Sequence, residues 1–236
     1  MKLNPGDYER IVFFTGAGMS AESGVPTYRG SGGIWHQYNW EEYACQRAFD
    51  SDPEKVLKFH ELRRKAVLAC QPHSGHFLIA AIEKNHPNVT IVTQNIDGMH
   101  QRAGSRKVHE LHGSLWRMRC SLHGIREDIG ETYKSYRCET CTQWLRPDIV
   151  WFEDMLDRDV MQTALRAIAS CDLFISIGTS GVVYPAAGFP PLAKENNAFC
   201  IEINPESSPI SHIYDLNIKE AASKALRELF PGAETS

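Results

Sequence analysis

The sequence holds no apolar run approaching the ~20 residues that a membrane span needs, and no block of basic residues. The first absence argues against a transmembrane helix. The second, with a formal net charge of −4, argues against nucleic-acid binding by a charged face. The opening stretch, Met1 to Arg10, lacks the apolar core of a signal peptide and carries acids that a transit peptide avoids. Seven cysteines are an odd number at scattered spacing, which speaks for a reducing cytoplasm rather than a disulfide framework. There is also no internal repeat, low-complexity tract or long linker. What remains is a chain of 236 residues, long enough to bury a full core as one domain with a small lobe.

Against that background the run from Gly16 to Gly30 stands out. It follows Ile11–Thr15, a short apolar segment rich in aromatic and β-branched residues that reads as a buried strand. A strand emptying into Gly16-Ala17-Gly18 and then a helix is a way to hold a pyrophosphate, with glycines for close approach and helix N–H groups for the anion. The spacing is not that of a hydride-transfer site. The next glycine, Gly24, is too far on, and Trp35, Tyr38 and Trp40 occupy the stretch where a ribose-binding acid belongs.

Three more apolar runs read as strands: Val89–Thr93, Leu173–Ile177 and Phe199–Ile203. Helical patterns separate them, among them Val160 to Ala169 after the cap Asp157, and a helix around Glu220–Leu229 closes the chain. The alternation predicts a doubly wound α/β sheet, Rossmann-like and parallel. Each strand empties into a polar or glycine-rich turn: Gly16-Ala17-Gly18, Gln94-Asn95-Ile96-Asp97, Gly178-Thr179-Ser180 and Asn204-Pro205-Glu206. In open parallel sheets ligands bind beyond the carboxyl ends of the strands, so these turns are expected to converge on one cleft.

Residues 31–85 and 116–148 interrupt the pattern. The second stretch holds Cys120-Ser-Leu-His123 and Cys138-Glu-Thr-Cys141, two ligand pairs at the spacing of a tight turn, with residues 124–137 between them. Four nitrogen and sulfur ligands suit tetrahedral zinc, and a full set of protein ligands makes the ion structural.

The wording GAG-x-S-x-x-SG-V-P-x-Y-R from Gly16 to Arg29 resembles the sirtuin family of NAD-dependent protein lysine deacylases. Thr93 to Asp97, His112-Gly113, Ile149 to Phe152 and Gly178 to Ser180 match in the family's order, and the resemblance runs from about Tyr8 to Phe230. It implies one catalytic domain over 1–236. A Rossmann lobe would take about 8–30, 86–115 and 149–230, and a small zinc-binding and helical lobe would take 31–85 and 116–148. It also implies NAD as consumed co-substrate and acyl-lysine proteins or peptides as partners. Sirtuins usually carry four cysteines at the metal, so His123 implies a Cys3His variant.

By the same resemblance His112, Asn95 and Asp97 are catalytic. The acyl oxygen attacks C1′ of the nicotinamide ribose, nicotinamide leaves, and His112 acts as general base on the ribose hydroxyl. Lysine and 2′-O-acyl-ADP-ribose are the products. Gly113 is expected to leave room for substrate beside the ring, and neighbouring His109 has an ordinary structural reading. Cofactor contacts are implied for Gly16, Ala17, Gly18, Ser20, Glu22, Tyr28, Arg29, Trp35, Gln94 and Ile96. The same holds for Gly178, Thr179, Ser180, Asn204, Pro205, Glu206 and Ala222. Asp97 also reads as a helix cap. Val150, Trp151 and Phe152, with Gly181 and Val182, resemble two strands that sandwich the substrate peptide.

Asp52 and Pro53 predict the cap and first turn of a helix reaching about Ala69. Its wheel places Lys58, Glu61, Arg64 and Lys65 on the wet side, and Arg63 among Val56, Phe59 and Val67, with His60 one turn back. Arg63 reads either as an internal salt-bridge partner or as a ligand for acid. Class III sirtuins, which remove succinyl, malonyl and glutaryl groups, bind the acyl carboxylate with a Tyr-x-x-Arg pair below an enlarging alanine. Arg63 and Ala44 match the arginine and the alanine, and His60 replaces the tyrosine. A protonated His60 would add a second positive donor near pH 6, and a neutral one could still hydrogen-bond. An NAD-dependent ADP-ribosyltransferase or glycohydrolase, and a non-catalytic binding module, are the rival readings, separable by product.

Overall fold

A computed structural model describes residues 1–28 and 33–233. Arg29 lies outside the described residues. The strands are β1 (Ile11–Thr15), β2 (Val89–Thr93), β3 (Val108–Glu110), β4 (Gly113–Cys120), β5 (Gly124–Glu127), β6 (Arg146–Ile149), β7 (Leu173–Ile177), β8 (Phe199–Ile203) and β9 (Leu216–Ile218). The α-helices are α1 (Ala17–Ala21), α2 (Ile34–Gln37), α3 (Trp40–Tyr43), α4 (Gln46–Ser51), α5 (Pro53–Leu68), α6 (Ser74–Asn85), α7 (Met99–Arg102), α8 (Arg158–Ser170), α9 (Phe189–Glu195) and α10 (Ala222–Leu229).

Six strands form one parallel sheet in the order β3-β2-β1-β7-β8-β9. The apolar runs read from the sequence are its four inner strands, with the same ends. The outer strands, three residues each, are too short to show a pattern of their own. Both faces are covered, so alternate residues of β1 serve two cores. Ile11 and Phe13 pack with Ile79 and Ile82 of α6 and Leu226 and Leu229 of α10, whereas Val12 and Phe14 pack with Ile168 of α8 and Phe189 of α9. Winding runs outward from β1 to β2 and β3, then crosses to β7 and continues to β9. The switch point therefore falls between β1 and β7, where an open α/β sheet offers its crevice.

A second, antiparallel sheet, β5-β4-β6, packs with α5 around a separate core that includes Val56, Leu57, Leu115, Met118 and Leu145. Helix α6, expected in the small lobe, instead covers the large sheet through Leu78, Ile79 and Ile82. Helix α5 begins as the sequence predicts, with Asp52 accepting from Lys55 N at 3.0 Å and Pro53 in the first turn.

The wheel misplaces Arg64. It is fully buried, donating from Nη2 to Asp128 Oδ1 at 2.8 Å, from Nε to the Gly130 carbonyl at 2.7 Å and from Nη1 to the Leu115 carbonyl at 3.2 Å. The ring of Tyr133 covers the guanidinium at 4.2 Å. A buried charge is tolerated only when paired and hydrogen-bonded, and here β4 and the Asp128–Gly130 segment supply the partners.

Candidate functional site

The turns after β1 and β7 meet backbone to backbone at the switch point. Gly18 N donates to the Gly178 carbonyl at 3.0 Å, and a Cβ on Gly18 would lie 2.6 Å from Gly178 Cα. Gly178 has φ +61°, and its own Cβ would lie 2.4 Å from Met19 N. Glycine is demanded here by one loop pressing on the other, before any ligand is considered. Gly16 is under the same constraint, with a Cβ 2.7 Å from the Gly178 carbonyl. Among the described residues the Ala17 N–H, first in α1, makes no backbone hydrogen bond, so it remains open to an anion.

The turn after β2 closes the floor. Asn95 is buried and donates from Nδ2 to the Gly16 carbonyl at 3.0 Å and to Ser20 Oγ at 3.2 Å. Asp97 is buried too, and burial raises its carboxyl pKa. It accepts from Met99 N at 2.9 Å, but the cap position of α7 is Gly98, so Asp97 is not itself the cap foreseen for it. Below the floor, His100 Nε2 lies 3.0 Å from Thr15 Oγ1, which bonds Thr93 Oγ1 at 2.8 Å, and Thr93 Oγ1 accepts from Asn95 N at 3.0 Å. These supporting residues escaped the sequence reading. A hydroxyl at the last position of both β1 and β2 was the available signal.

His112 sits half-buried just before β4, with Nδ1 2.9 Å from the Gln94 carbonyl. A carbonyl accepts only, so Nδ1 carries the proton and Nε2 keeps its lone pair. Burial lowers the pKa below the ordinary histidine value, which keeps the ring neutral at pH 7. A neutral imidazole with a free Nε2 is what a general base requires. Gly113 does a different job from the one expected. Its φ is +75° and a Cβ would lie 2.0 Å from the Asp148 carbonyl, so it lets β6 pass close to β4 instead of leaving room for substrate.

Other expected cofactor residues divide into two groups. Thr179 is buried with its Oγ1 2.9 Å from Ser176 Oγ, and its carbonyl accepts from Asn204 Nδ2 at 3.0 Å, which ties the β7 and β8 turns together. Ser180, Pro205 and Glu206 are exposed at the same end of the sheet. Ala222 opens α10. Glu22, by contrast, uses its carboxylate to accept from Ser223 N at 2.9 Å and from Ser223 Oγ, capping α10 and joining it to α1. Trp35 belongs to an aromatic row, stacked on Tyr28 at 5.8 Å and on Phe59 at 6.3 Å.

Arg63 and His60 part company. Arg63 is buried, lies 5.1 Å from the Tyr28 ring, and lines a small cavity together with Ser20, Asn95 and Asp97. Among the described residues it forms no ion pair. His60 turns the other way, stacks on Trp151 and accepts from Trp151 Nε1 at 3.1 Å. Burial, with Arg63 and Arg146 nearby, pushes its pKa down to about 3. The ring is neutral at pH 6, so the expected second positive donor is not there. Ala44 is buried against Phe152, whose N–H it accepts at 3.0 Å.

The two peptide-flanking segments form no ladder with each other. Val150 N donates to the His112 carbonyl, Phe152 N to Ala44, and Trp151 N to Asp154 Oδ2. Trp151 itself is buried in the small core. Gly181 has φ +69° and packs on Ile210, while Val182 is 46 % exposed.

Cys120, His123, Cys138 and Cys141 bring their ligand atoms within 4.8 Å of one another. His123 Nδ1 lies 3.5 Å from both Cys120 and Cys138 Sγ, and Cys120 and Cys141 Sγ are 3.6 Å apart. Tetrahedral zinc with bonds of about 2.3 Å to sulfur and 2.0 Å to nitrogen calls for separations of about 3.5–3.8 Å. The Cys3His set fits. Cys120 ends β4, so an ion here ties that strand to the Cys138–Cys141 turn. Purified protein is expected to carry one equivalent of zinc. Cys138→Ser should lose the metal and expose the 120–143 segment to protease, while His123→Cys keeps both metal and fold. Metal-free protein of unchanged thermal stability would rule the site out.

Residues 16–185 match the Sir2 family. The chain is 43 % identical to an NAD-dependent protein deacylase of Aquifex aeolicus (strain VF5), covering 93 % of each chain. It is 44 % identical to NAD-dependent protein deacylase 2 of Pyrobaculum aerophilum, covering 92 % of this chain and 88 % of that one. A Sir2 homologue solved with NAD superposes at TM-score 0.88 with 39 % identity, over 97 % of this chain and 91 % of that one. A mutant Sir2 homologue solved with ADP-ribose superposes at 0.90 with 39 % identity, over 96 % and 92 %. A Sir2 protein with a deacetylated p53 peptide superposes at 0.86 with 28 % identity, over 98 % and 96 %. With the glycine turns packed at the switch point and a neutral histidine at the mouth of the crevice, these likenesses agree: the chain belongs to the Sir2 family.

Proposed function

We propose that this chain is an NAD-dependent protein lysine deacylase whose general base is His112 and whose pocket accepts acidic acyl chains as well as acetyl. One observation carries the reading. A neutral His112, held through Nδ1 on the Gln94 carbonyl with Nε2 unprotonated, stands beside the turn Gln94 to Asp97, whose Asn95 side chain is fixed to the β1 loop. When bound, NAD supplies an electrophilic ribose carbon and nicotinamide as leaving group. The β1 and β7 turns and the Ala17 N–H hold its phosphates, Asn204 and the start of α10 its adenosine, and Asn95 and Asp97 its nicotinamide half. His112 takes the proton of the ribose hydroxyl. An extended peptide runs between 150–153 and 180–183. The N–H groups of 150–152 are already engaged, so pairing uses their carbonyls and the main chain around Val182. The decisive experiment is mass spectrometry of the products from NAD and an acyl-lysine peptide. Acyl-ADP-ribose with free lysine supports the reading, whereas ADP-ribosylated peptide or plain ADP-ribose overturns it.

Acyl preference rests on Arg63. Arg63 forms no ion pair among the described residues, although it lies beside Tyr28 and shares its cavity with Asp97, and a buried guanidinium so placed favours an anionic guest. Arg63→Met should cut desuccinylation by about 30-fold or more, from a loss of about 2–5 kcal/mol, and leave deacetylation within a few-fold. Because His60 stays neutral, lowering the pH from 7 to 6 should not favour the succinyl substrate. Equal losses on acetyl and succinyl peptides would leave Arg63 a support of the fold.

A further inference from the structure

We propose that Trp116 is a positioning residue for the nicotinamide half of the cofactor, acting through the main chain of Asp97. The inference rests on the proposed role of Asp97 toward nicotinamide, but its argument is local. Trp116 lies in the middle of β4, and its indole Nε1 donates to the Asp97 carbonyl at 2.8 Å. Its neighbour Leu115 donates from N to the Ile96 carbonyl at 2.9 Å and lines the same small cavity as Asn95 and Asp97. The next residue of the loop, Gly98, has φ +72°, and a Cβ there would lie 2.7 Å from the same indole nitrogen. The Nε1 edge of the ring therefore donates to the loop and leaves no room for a side chain at Gly98. Together these contacts fix Ile96, Asp97 and Gly98 against one strand.

Trp116 is itself held. The Trp116 carbonyl accepts from Asp128 N at 2.8 Å, and Arg64, which also donates to the Leu115 carbonyl, lies 5.5 Å from its ring. The same strand begins just after His112 and ends at Cys120, one of the metal ligands. The Asn95 end of the nicotinamide loop is tied to the large sheet, whereas its Ile96–Asp97 main chain is held by β4. A defect at Trp116 should separate the two halves of the cofactor site.

Trp116→Phe keeps an aromatic, though smaller, side chain and removes the donor, leaving the Asp97 carbonyl without it. Inhibition by free nicotinamide should weaken about tenfold, and kcat/KM for NAD should fall by a similar factor. Affinity for ADP-ribose should stay within twofold. Unchanged nicotinamide inhibition, or an equal loss of ADP-ribose affinity, overturns the proposal. Wild-type protein that binds neither ligand would instead defeat the NAD reading itself. Should the variant not fold, the wild type gives the same test. The Trp116 indole N–H resonance must shift on adding nicotinamide together with ADP-ribose by more than on adding ADP-ribose alone, and equal shifts overturn the proposal.

Discussion

Replacing His112 with alanine is expected to lower deacylation by roughly 10²–10⁴, the range for loss of a general base, while ADP-ribose still binds. The expectation follows from how the ring is held. Donation from Nδ1 to the Gln94 carbonyl at 2.9 Å leaves Nε2 unprotonated, and burial keeps the imidazolium from forming at pH 7. Removing the ring deletes the base and its hydrogen bond to the Gln94 carbonyl, but the β1 and β7 turns and Asn204 are tied to one another without it. His109, half-buried on β3, provides the control: His109→Ala should retain activity. Near-normal turnover by His112→Ala would sink the assignment. The pH profile supplies a second check. The acid limb of kcat/KM should lie below pH 6.5, because a histidine with a lowered pKa loses its base form only under more acidic conditions.

Where a feature depends on neighbours in sequence, it was legible. The four inner strands came with their ends, because each is buried on both faces and so reads as an unbroken apolar run bounded by turn residues. Asp52 and Asp157 announced their helices by ordinary capping chemistry. The ligand pairs around Cys120 and Cys138 fixed the metal cluster by spacing. Features that depend on distant partners were not legible. Arg64 belongs by periodicity on a solvated face, and only the return of the chain at Asp128 and Gly130 makes it a core residue. Gly113 suggested room for a ligand, but a side chain there would run into the β6 backbone. His60 and Arg63 are one turn apart, yet Trp151 captures the first and Tyr28 the second, so one is silenced and the other left facing the cavity. Trp116 reads as a core tryptophan until the Asp97 carbonyl appears at its nitrogen.

Acid should destabilise this protein steeply between pH 7 and 5, and the reason is again a set of buried rings. His60, His76 and His100 are buried, with pKa values pushed down to about 3, about 2 and about 3 by desolvation. His76 Nε2 and His100 Nδ1 find no hydrogen-bond partner among the described residues, and the two rings lie 5.0 Å apart, so neither can accept a charge cheaply. The unfolded chain takes up these protons near pH 6.5 and the folded chain does not, so stability falls as pH drops through 6.5 and goes on falling towards the folded values. The loss from pH 7 to 5 is about 2 kcal/mol per histidine, on the order of 6 kcal/mol for the three. It depends only on the folded values lying well below 5. Against a total stability of typically about 5–15 kcal/mol, that is enough to bring the protein close to its unfolding midpoint. Carboxylates that folding leaves unshifted or lowers lie largely outside this window, whereas Asp97 and Glu110, raised by burial, act in the opposite sense. Urea denaturation in zinc-saturated buffer at pH 7, 6 and 5 should show the midpoint falling at each step. His60→Phe, which removes one titrating ring and keeps its shape, should reduce the fall by about a third. A midpoint independent of pH across this range would mean that the buried rings are reached by water and protonate in the folded protein.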